Sequence, residues 1–330
     1  NIIRNAKSIL FTNTEQSQLL EIINTNSFLT NKILKKVLME ELFHLMLQKS
    51  LLISNFLEKL LTKIRSDIIF TLNSTNQNFL YENFNFIISL AEQCWLNEFI
   101  YTQSKKETNQ IKKLKQKIED DKAINELEIS ILSCYVPLND SEIIANKLLT
   151  YTSSNILFND LINVQIKEPL REKELAKSIT TLDRIENPIS KKVQEQYEEH
   201  PYPRWRYTNS FEPKNFFYHI NLEITPNKIK VNKKFDNPNV LIAGCGTGNH
   251  SISTTRYKNA NILAVDLSLS SLAYAKRKTA ELGHNNIEYM QADILNLKKL
   301  NKKFDIIESS GVLHHMKDPF QGLKILVDIL

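Results

Sequence analysis

The distribution of glycine and proline constrains the fold of this 330-residue chain more than any other feature of its sequence. All six glycines lie at or after Gly244, and the first proline is Pro137. Glycine supplies tight turns with positive φ, and proline interrupts helices and sheet ladders. A long stretch without either residue is typical of packed helices joined by polar loops. We therefore predict an all-helical region over residues 1–184.

Hydrophobic spacing and capping signals also predict helices in this region. Apolar side chains that recur every three or four residues form one buried face of a helix. The clearest such set is Leu34, Val37, Leu38, Leu42 and Leu45. Ser104 with Glu107 has the form of a capping box at a helix start, and residues 139–142 repeat that signal.

The sequence pattern changes near Ile185, where prolines become frequent. Residues 185–238 are therefore predicted to form a connector, with one short helix at 190–199. Beyond it, short apolar runs alternate with helical stretches, which indicates βαβ units around a doubly wound parallel sheet. The four predicted strands are 240–243, 262–265, 287–292 and 304–307. The run at 287–292 is the least apolar, which favours an outer strand.

A glycine-rich loop follows the first predicted strand and carries the main chemical signal. Gly244, Gly246 and Gly248 would let the backbone approach a ligand closely. Asp266 follows the second strand, where a carboxylate can accept both ribose hydroxyls of an adenosine. Asp293 follows the third strand and can meet the adenine edge. Because open parallel sheets bind ligands at the carboxyl ends of their strands, these signals together predict an adenosine site.

Other interpretations compete with this site. In one alternative, Asp266 is simply a helix cap and Asp293 simply a turn residue, and neither binds a ligand. The coincidence of both acids with the glycine-rich loop argues against this alternative. A dinucleotide site is disfavoured, because its fingerprint is GxGxxG and the glycines here have the spacing GxGxG.

Four segments carry a further signal: VLIAGCGTG at 240–248, AVDLS at 264–268, ADI at 292–294 and FDIIESSGVLHH at 304–315. They resemble the successive motifs of class I S-adenosylmethionine (SAM)-dependent methyltransferases, and the resemblance covers residues 239–330. The segment YEEHPYPRW at 197–205 resembles a bacterial subgroup that often has tetratricopeptide-type helical repeats upstream. The resemblance implies a Rossmann-like α/β fold, SAM as the cofactor and methyl transfer as the reaction.

The resemblance also bears on completeness and on strand order. A full domain of this family has more strands than the four predicted here, which would lie in the order 3-2-1-4. We therefore expect the domain at 239–330 to be incomplete at its C-terminal end. The chain begins at Asn1 without an initiator methionine, so we expect it to be incomplete there as well.

Cofactor contacts are implied by resemblance. The implied cofactor-binding residues are Gly244, Cys245, Gly246, Gly248, Asp266, Leu267, Asp293, Ile294, Ser309 and Tyr197. The glycines would border the methionine part of SAM, and the residues after the second and third strands would hold ribose and adenine. One position departs from the family, which usually has an acid where this chain has Ile242. That acid helps to orient the cofactor's amino group, so another group or water must substitute for it.

The loop after the fourth strand supplies the candidate catalytic residues Ser310, His314 and His315. Histidine is an effective general base near neutral pH, and a base is needed only if the acceptor atom starts protonated. The alternative is that one histidine packs under the sheet while the other is merely exposed.

The PYPRW segment supplies a candidate lid over the cofactor and substrate. Its members are Tyr202, Arg204 and Trp205. Aromatic surface would cover the cofactor, and the arginine would meet an anionic group. The alternative is a proline-rich linker that its aromatic residues anchor.

Missing motifs narrow the methyl acceptor. After the fourth strand there is no Asn/Asp-Pro-Pro-Tyr/Phe element, and no Pro-Cys supplies a thiolate, so methylation of DNA bases is disfavoured. We expect a small-molecule or protein acceptor. Two alternatives stay open: a protein-interaction scaffold with a degenerate methyltransferase fold, whose helical region docks a protein partner, and an RNA-modifying methyltransferase.

Composition limits the remaining possibilities. A net charge of +5 is more typical of solvated helix faces than of a nucleic-acid surface, so a nucleic-acid partner is disfavoured. Cys94, Cys134 and Cys245 are too widely spaced for a zinc site or a disulfide framework, which favours a reducing cytoplasm and no metal. No apolar run approaches the roughly 18 residues that a membrane span needs.

Overall fold

The structure is a computed structural model, and it describes residues 10–23, 25, 29, 31–72, 74, 77–209, 211–229 and 236–330. The start of the predicted helical region, 1–9, and part of the predicted connector, 230–235, lie outside the described residues. The chain divides into two compact units. The first contains residues up to Leu170 together with 204–207, and the second contains 171–203 and 208–330.

The first unit is helical where it is described. Its helices are α1 (Asn13–Ile22), α2 (Lys32–Leu38), α3 (Glu41–Lys49), α4 (Asn55–Thr71), α5 (Asn78–Glu82), α6 (Phe84–Leu96), α7 (Lys105–Asp120), α8 (Glu126–Leu132), α9 (Glu142–Leu149) and α10 (Ile156–Ile162). A π-helical turn over Asn163–Lys167 leads into α11 (Glu168–Ala176), within which the second unit begins. Leu60, Ile87 and Phe158 lie fully buried in the continuous core of this unit.

Side-chain caps fix where two of these helices begin. The capping box at α7 is confirmed, because Ser104 accepts from the backbone N–H of Glu107 and the carboxylate of Glu107 accepts from the backbone N–H of Ser104. At α9 the cap is Ser141, whose hydroxyl accepts from the N–H of Ile144. The box predicted over residues 139–142 is therefore replaced by a single cap at Ser141.

One predicted helix face is wrong in its second half. α2 ends at Leu38 and a separate helix, α3, follows it, so the helical phase is reset. Leu42 and Leu45 are 40% and 45% exposed. Phe43 and Leu47 are fully buried in their place. The spacing of apolar residues by three and four continues across the break between the two helices, so the sequence pattern does not show where α2 ends.

The second unit is built around a parallel sheet. Its strands are β1 (Thr180–Thr181), β2 (Asn239–Ala243), β3 (Asn261–Asp266), β4 (Ile287–Gln291) and β5 (Ile306–Glu308). They lie in the order β1-β4-β3-β2-β5, and every pair is parallel. In register, Val240 lies beside Ile262 on β3 and beside Ile306 on β5. The carboxyl ends of all the strands therefore meet at one edge.

Both faces of this sheet are covered. The remaining helices are α12 (Pro188–Glu199), α13 (Phe216–Glu223), α14 (Asn249–Ser253), α15 (Leu269–Glu281) and α16 (Pro319–Asp328). Val240 and Ile242 belong to one hydrophobic core, whereas Leu241 and Ala243 belong to another. Alternate residues of a strand point to opposite faces, so these continuous apolar runs mark strands that are buried on both sides.

The α/β class with a parallel sheet is confirmed, and the four predicted strands lie in the order 3-2-1-4, as β4-β3-β2-β5. The predicted strand count, and with it the order of the whole sheet, needs correction at one edge. The sheet has five strands, because Thr180–Thr181 pairs with β4 at its edge. This strand lies in the region predicted to be all-helical, and two residues are too few to show a period of two. β4 is consequently not the outermost strand, and the division between the units falls after Leu170 rather than at residue 184.

Cys94, Cys134 and Cys245 are buried free thiols. Across the described ranges, no group of three or more histidine, cysteine and acidic side chains is placed to hold a metal ion. In the same part of the chain, no helix is both long enough and apolar enough to cross a bilayer.

Candidate functional site

A cavity of about 440 Å³ opens at the carboxyl edge of the sheet, within the second unit. We call it the sheet-edge cavity. The sequence-predicted site residues that line it are Tyr197, Tyr202, Gly244, Cys245, Gly246, Asp266, Leu267, Asp293, Ile294, Ser310 and His315. Those that do not line it are Gly248, Ser309, His314, Arg204 and Trp205. Residues distant in sequence thus meet here because the parallel strands end at the same edge.

Two glycines of the loop at 244–248, called the glycine loop below, serve different purposes. Gly244 has a φ of +81°, and a Cβ added to it would lie 2.4 Å from Cγ2 of Val312. Its lack of a side chain therefore lets the loop after β2 pass the loop after β5. Gly246 has a φ of +52°, and a Cβ added there would meet nothing within 4 Å. The backbone at Gly246 consequently borders open space in the cavity.

Gly248 contributes to packing and not to the cavity lining. It has a φ of +87°, and an added Cβ would lie 2.5 Å from Cβ of Ala275 on α15. A side chain at this position would push α15 away from the start of α14. The third glycine of the loop therefore permits close packing of the two helices.

Asp266 is tied to the glycine loop by its carboxylate. Its Oδ2 accepts a 2.8 Å hydrogen bond from the backbone N–H of Gly246, and its Oδ1 accepts one of 3.0 Å from Ser268. Burial raises the pKa of Asp266 above its ordinary value, while these backbone donors favour the charged form. Each carboxylate oxygen has a second lone pair, so both retain capacity to accept from a ligand.

The adjacent wall is formed by the end of β4. Nε2 of Gln291 donates a 2.8 Å hydrogen bond to the carbonyl of Leu267, and its Oε1 accepts from the hydroxyl of Thr181. Asp293 is 4% exposed, and its Oδ1 accepts a 2.9 Å hydrogen bond from the N–H of Leu295. Asp293 is thus a turn residue and a cavity residue at once, so the two interpretations of it are compatible.

Aromatic side chains also line the cavity. The rings of Tyr197 and His315 have centroids 6.3 Å apart and meet edge to face at 79°. The ring of His314 lies against that of His315, with centroids 4.1 Å apart and planes inclined at 39°, but His314 does not line the cavity. Both histidines are exposed, so the alternative in which one packs under the sheet is wrong.

The two serines after β5 have separate positions. Ser310 is exposed and lines the cavity. The hydroxyl of Ser309 donates a 2.9 Å hydrogen bond to the carbonyl of Ala243, which is the last residue of β2. Ser309 therefore closes the end of a strand and holds the loop after β5 against it.

A polar cluster at the end of β5 was missed in the sequence. His250 lines the cavity, and its Nε2 lies 2.7 Å from Oε2 of Glu308. Glu308 Oε1 also accepts from Nη2 of Arg256 at 2.8 Å and from the hydroxyl of Tyr257 at 2.5 Å. Burial alone would raise the pKa of Glu308, but these hydrogen bonds and the arginine charge hold it below its ordinary value. The signal available in the sequence was a histidine two positions after the glycine loop.

The three predicted lid residues do not share one environment. Tyr202 lines the cavity and is 44% exposed. Arg204 and Trp205 belong to the first unit and are buried there. Arg204 forms an ion pair with Glu98, and its guanidinium carbon lies 4.1 Å from the ring centroid of Trp95. Because its charge is already matched within that unit, the linker interpretation describes Arg204 and Trp205 better than the lid interpretation.

Residues 240–330 match a protein family described as a methyltransferase domain. A segment of 98 residues is 37% identical to an uncharacterized protein of Synechococcus sp., covering 28% of this chain and 23% of that protein. A segment of 120 residues is 31% identical to a ubiquinone biosynthesis O-methyltransferase of Coxiella burnetii, covering 36% of this chain and 49% of that enzyme. The chain thus spans about a quarter and about half of the length of these relatives.

Solved structures give a weaker likeness. A coclaurine N-methyltransferase bound to N-methylheliamine and S-adenosylhomocysteine (SAH) is 17% identical with a TM-score of 0.27, covering 69% of this chain and 61% of that one. A structure described under the conversion of a disulfide bond into a thioacetal group during echinomycin biosynthesis is 20% identical with a TM-score of 0.28, covering 42% and 55%. At these values neither structure bears on what this chain binds.

Proposed function

We propose that the second unit binds SAM in the sheet-edge cavity and transfers its methyl group to a small-molecule acceptor. The observation that carries the proposal is the hydrogen bond from Gly246 to Asp266, which brings the glycine loop and the acid after β3 together on one cavity. Ligands of open parallel sheets bind at this edge. The match of residues 240–330 to a methyltransferase domain favours SAM over other adenosine-containing ligands.

The lining residues fit an adenosyl ligand in size and in hydrogen bonding. The volume of about 440 Å³ lies within the range of roughly 300–1,000 Å³ that is usual for small-molecule sites. Both oxygens of Asp266 can accept from the two ribose hydroxyls, in addition to their backbone donors. Asp293 can accept from an adenine amino group, and Leu267 supplies apolar surface for the ring.

When bound, SAM supplies a methyl group that its sulfonium already activates. What remains for the protein is to orient the reactants and to exclude water. The glycine loop and Asp266 fix the adenosyl end, while Tyr197 and Tyr202 offer aromatic surface that excludes water. His315 lines the cavity after β5, where its imidazole can take a proton from a hydroxyl acceptor.

The acceptor class rests on one relative. The Coxiella burnetii enzyme is named as an O-methyltransferase of ubiquinone biosynthesis, which supports a small molecule with a hydroxyl group as the acceptor here. Because the alignment covers 49% of that enzyme, it supports the class of acceptor and not a particular compound. His315 in the cavity lining is consistent with an acceptor that must lose a proton.

One observation favours a second candidate function. Ile242 occupies a position where an acid is usual in the resembled family, and it is fully buried in apolar surroundings. In this alternative the second unit has lost SAM binding and the chain acts as an interaction scaffold, with the helical unit docking a protein. The buried free thiols favour a cytoplasmic location under both candidates.

Titration calorimetry with SAH distinguishes the methyltransferase from the interaction scaffold. The wild-type chain is expected to bind SAH, and Asp266→Asn should weaken binding by about tenfold or more, as expected for loss of hydrogen bonds to a charged group. Asp305→Asn is the matched control, because Asp305 accepts from the N–H of Asn239 at the opposite edge of the sheet and does not line the cavity. No binding by wild type, or equal loss in both variants, would overturn the proposal.

A further inference from the structure

The end of the cavity beside β5 has a titratable pair that the proposed adenosine contacts leave unused. His250 lines the cavity, and Glu308 lies behind it with Oε2 at 2.7 Å from Nε2 of the histidine. Glu308 is held in place by two further donors, Arg256 and Tyr257. The imidazole is therefore anchored at one nitrogen to a carboxylate that cannot easily move.

The order of the strands places this pair at a defined part of a bound ligand. Asp293 follows β4, Asp266 ends β3, the glycine loop follows β2, and Glu308 ends β5. Since these strands are neighbours in the order β4-β3-β2-β5, the four groups lie in sequence along one edge. If adenine lies at Asp293 and ribose at Asp266, the amino-acid part of the ligand extends past the glycine loop toward His250. This step rests on the proposed function.

The same strands explain why a histidine is needed there. Ile242 on β2 is fully buried and apolar, so it offers no acceptor to a charged amino group. Glu308 lies beside Ile242 in the parallel register of β2 and β5, and side chains in register leave the same face of a sheet. The acid is thus absent from β2 but present on the adjacent strand, with His250 between its carboxylate and the cavity.

We propose that His250, positioned by Glu308, binds the α-amino group of the amino-acid part of SAM. In the neutral imidazole, a carboxylate that accepts from Nε2 keeps the proton on that nitrogen, which leaves Nδ1 with a lone pair. An ammonium group carries N–H donors and no acceptor, so it pairs with this lone pair. His250 is the contacting residue and Glu308 is a positioning residue.

Binding of three adenosine compounds to matched variants tests the assignment. SAH has the complete amino-acid part, decarboxylated SAM keeps the amino group alone, and 5′-methylthioadenosine has neither. His250→Phe keeps a ring of similar size without nitrogen atoms. His284→Phe is the control, because His284 follows α15 and does not line the cavity.

We expect His250→Phe to weaken the binding of SAH and of decarboxylated SAM by about tenfold, the loss typical of one hydrogen bond to a charged group. The affinity for 5′-methylthioadenosine should stay within about twofold of that of wild type. Glu308→Gln should show the same split between ligands to a smaller degree, which a merely structural role would not produce. His284→Phe should change none of the three.

The outcomes distinguish the two proposals. If wild type binds none of the compounds, the proposed function fails and this assignment fails with it. If wild type binds all three compounds but His250→Phe weakens the binding of all three equally, or of none, the adenosine site stands and the assignment of His250 is overturned. If only SAH is weakened while decarboxylated SAM is not, His250 contacts the carboxylate and the amino-group assignment is wrong.

Discussion

The backbone N–H of Gly246 and the carboxylate of Asp266 are joined by a 2.8 Å hydrogen bond across 20 residues of sequence. This bond fixes the loop after β2 to the end of β3, so the two parts of the proposed SAM site are held together before a ligand binds. Preorganisation of this kind reduces the ordering cost of binding. The same bond occupies one lone pair of Asp266 and leaves others for a ligand.

Gly248→Ala should destabilise the second unit more than Gly283→Ala does. Both glycines have positive φ, +87° and +75°, so both variants incur the backbone strain of about 1–2 kcal/mol. Only at Gly248 does the new Cβ also collide, at 2.5 Å from Ala275, which adds about 1–3 kcal/mol of overpacking. Hydrogen exchange of β2 and β3 peptides, measured in urea, reports the unfolding of this unit. Equal loss in the two variants would contradict the packing role of Gly248.

His315→Gln should lower the rate of methyl transfer to a hydroxyl acceptor by about 100-fold, the contribution typical of a general base. SAH binding should be unchanged, because the histidine is proposed to act on the acceptor. His314→Gln is the matched control, since the ring of His314 lies 4.1 Å from that of His315 between centroids but does not line the cavity. Single-turnover rates measure the effect, and equal losses in both variants would refute a specific role for His315.

The stability contributed by Glu308 should depend on pH. Burial raises its pKa, but hydrogen bonds from His250 and Tyr257 and the charge of Arg256 outweigh burial and place it below its ordinary value of 4.5. Because the folded pKa is the lower one, the charged carboxylate stabilises the fold above the unfolded pKa. That stabilisation is lost as the pH falls through the folded pKa.

Glu308→Gln should therefore destabilise the second unit most at neutral pH, and the difference from wild type should shrink below pH 4.5. Urea unfolding of both proteins, followed by hydrogen exchange at each pH, provides the measurement. Glu288→Gln serves as the control, because Glu288 is exposed on β4. If the difference in the free energy of unfolding between Glu308→Gln and wild type grew as the pH fell, the predicted direction of the pH dependence would be wrong.

Arg206→Met should destabilise the first unit by about 3 kcal/mol, because it removes the hydrogen-bond and charge partner of two carboxyl groups, Glu92 and Asp160. Arg206 lies 2.6 Å from Glu92 and 2.8 Å from Asp160, and the side chain of Glu92 is 1% exposed. Adding Glu92→Gln to Arg206→Met should recover part of the loss. Lys115→Met, which removes a partly exposed pair on α7, should change the free energy of unfolding by less than about 0.5 kcal/mol.

Tryptophan fluorescence during urea unfolding measures these variants selectively, since Trp95 and Trp205 are the two tryptophans of the chain and both belong to the first unit. If the double variant were as unstable as Arg206→Met alone, the loss would come from packing and not from the unpaired carboxyl group of Glu92.

Local signals in the sequence predicted the elements whose residues repeat a pattern. The apolar runs of β2 and β3 are long enough to identify buried strands. The two-residue strand at Thr180–Thr181 could not be found this way, because its pairing with β4 is decided by contacts across 110 residues and not by its own composition. The break between α2 and α3 was missed because the apolar pattern continues across it.

The residues of the candidate site likewise include some that the sequence predicted and some that it did not. Asp266 and the glycine loop stand directly after apolar runs, so their place at a strand end could be predicted. No local pattern in the sequence identifies His250 or Glu308 as site residues. His250 lies in a helix after the glycine loop, Glu308 ends β5, and only the register of β2 with β5 brings them together. Arg204 was predicted to be a lid residue that meets an anionic group, yet its partner is Glu98, which lies far away in sequence.

The sequence by itself determined that helices give way to βαβ units along the chain and which backbone positions must lack a side chain, because φ preference and apolar periodicity are local properties. Tertiary structure alone decided which polar groups pair, as with His250 and Glu308 or Arg206 and Glu92. The physical reason is that a buried charge is stable only beside a partner, and the partner's position is set by how strands and helices pack, over distances that no local pattern records.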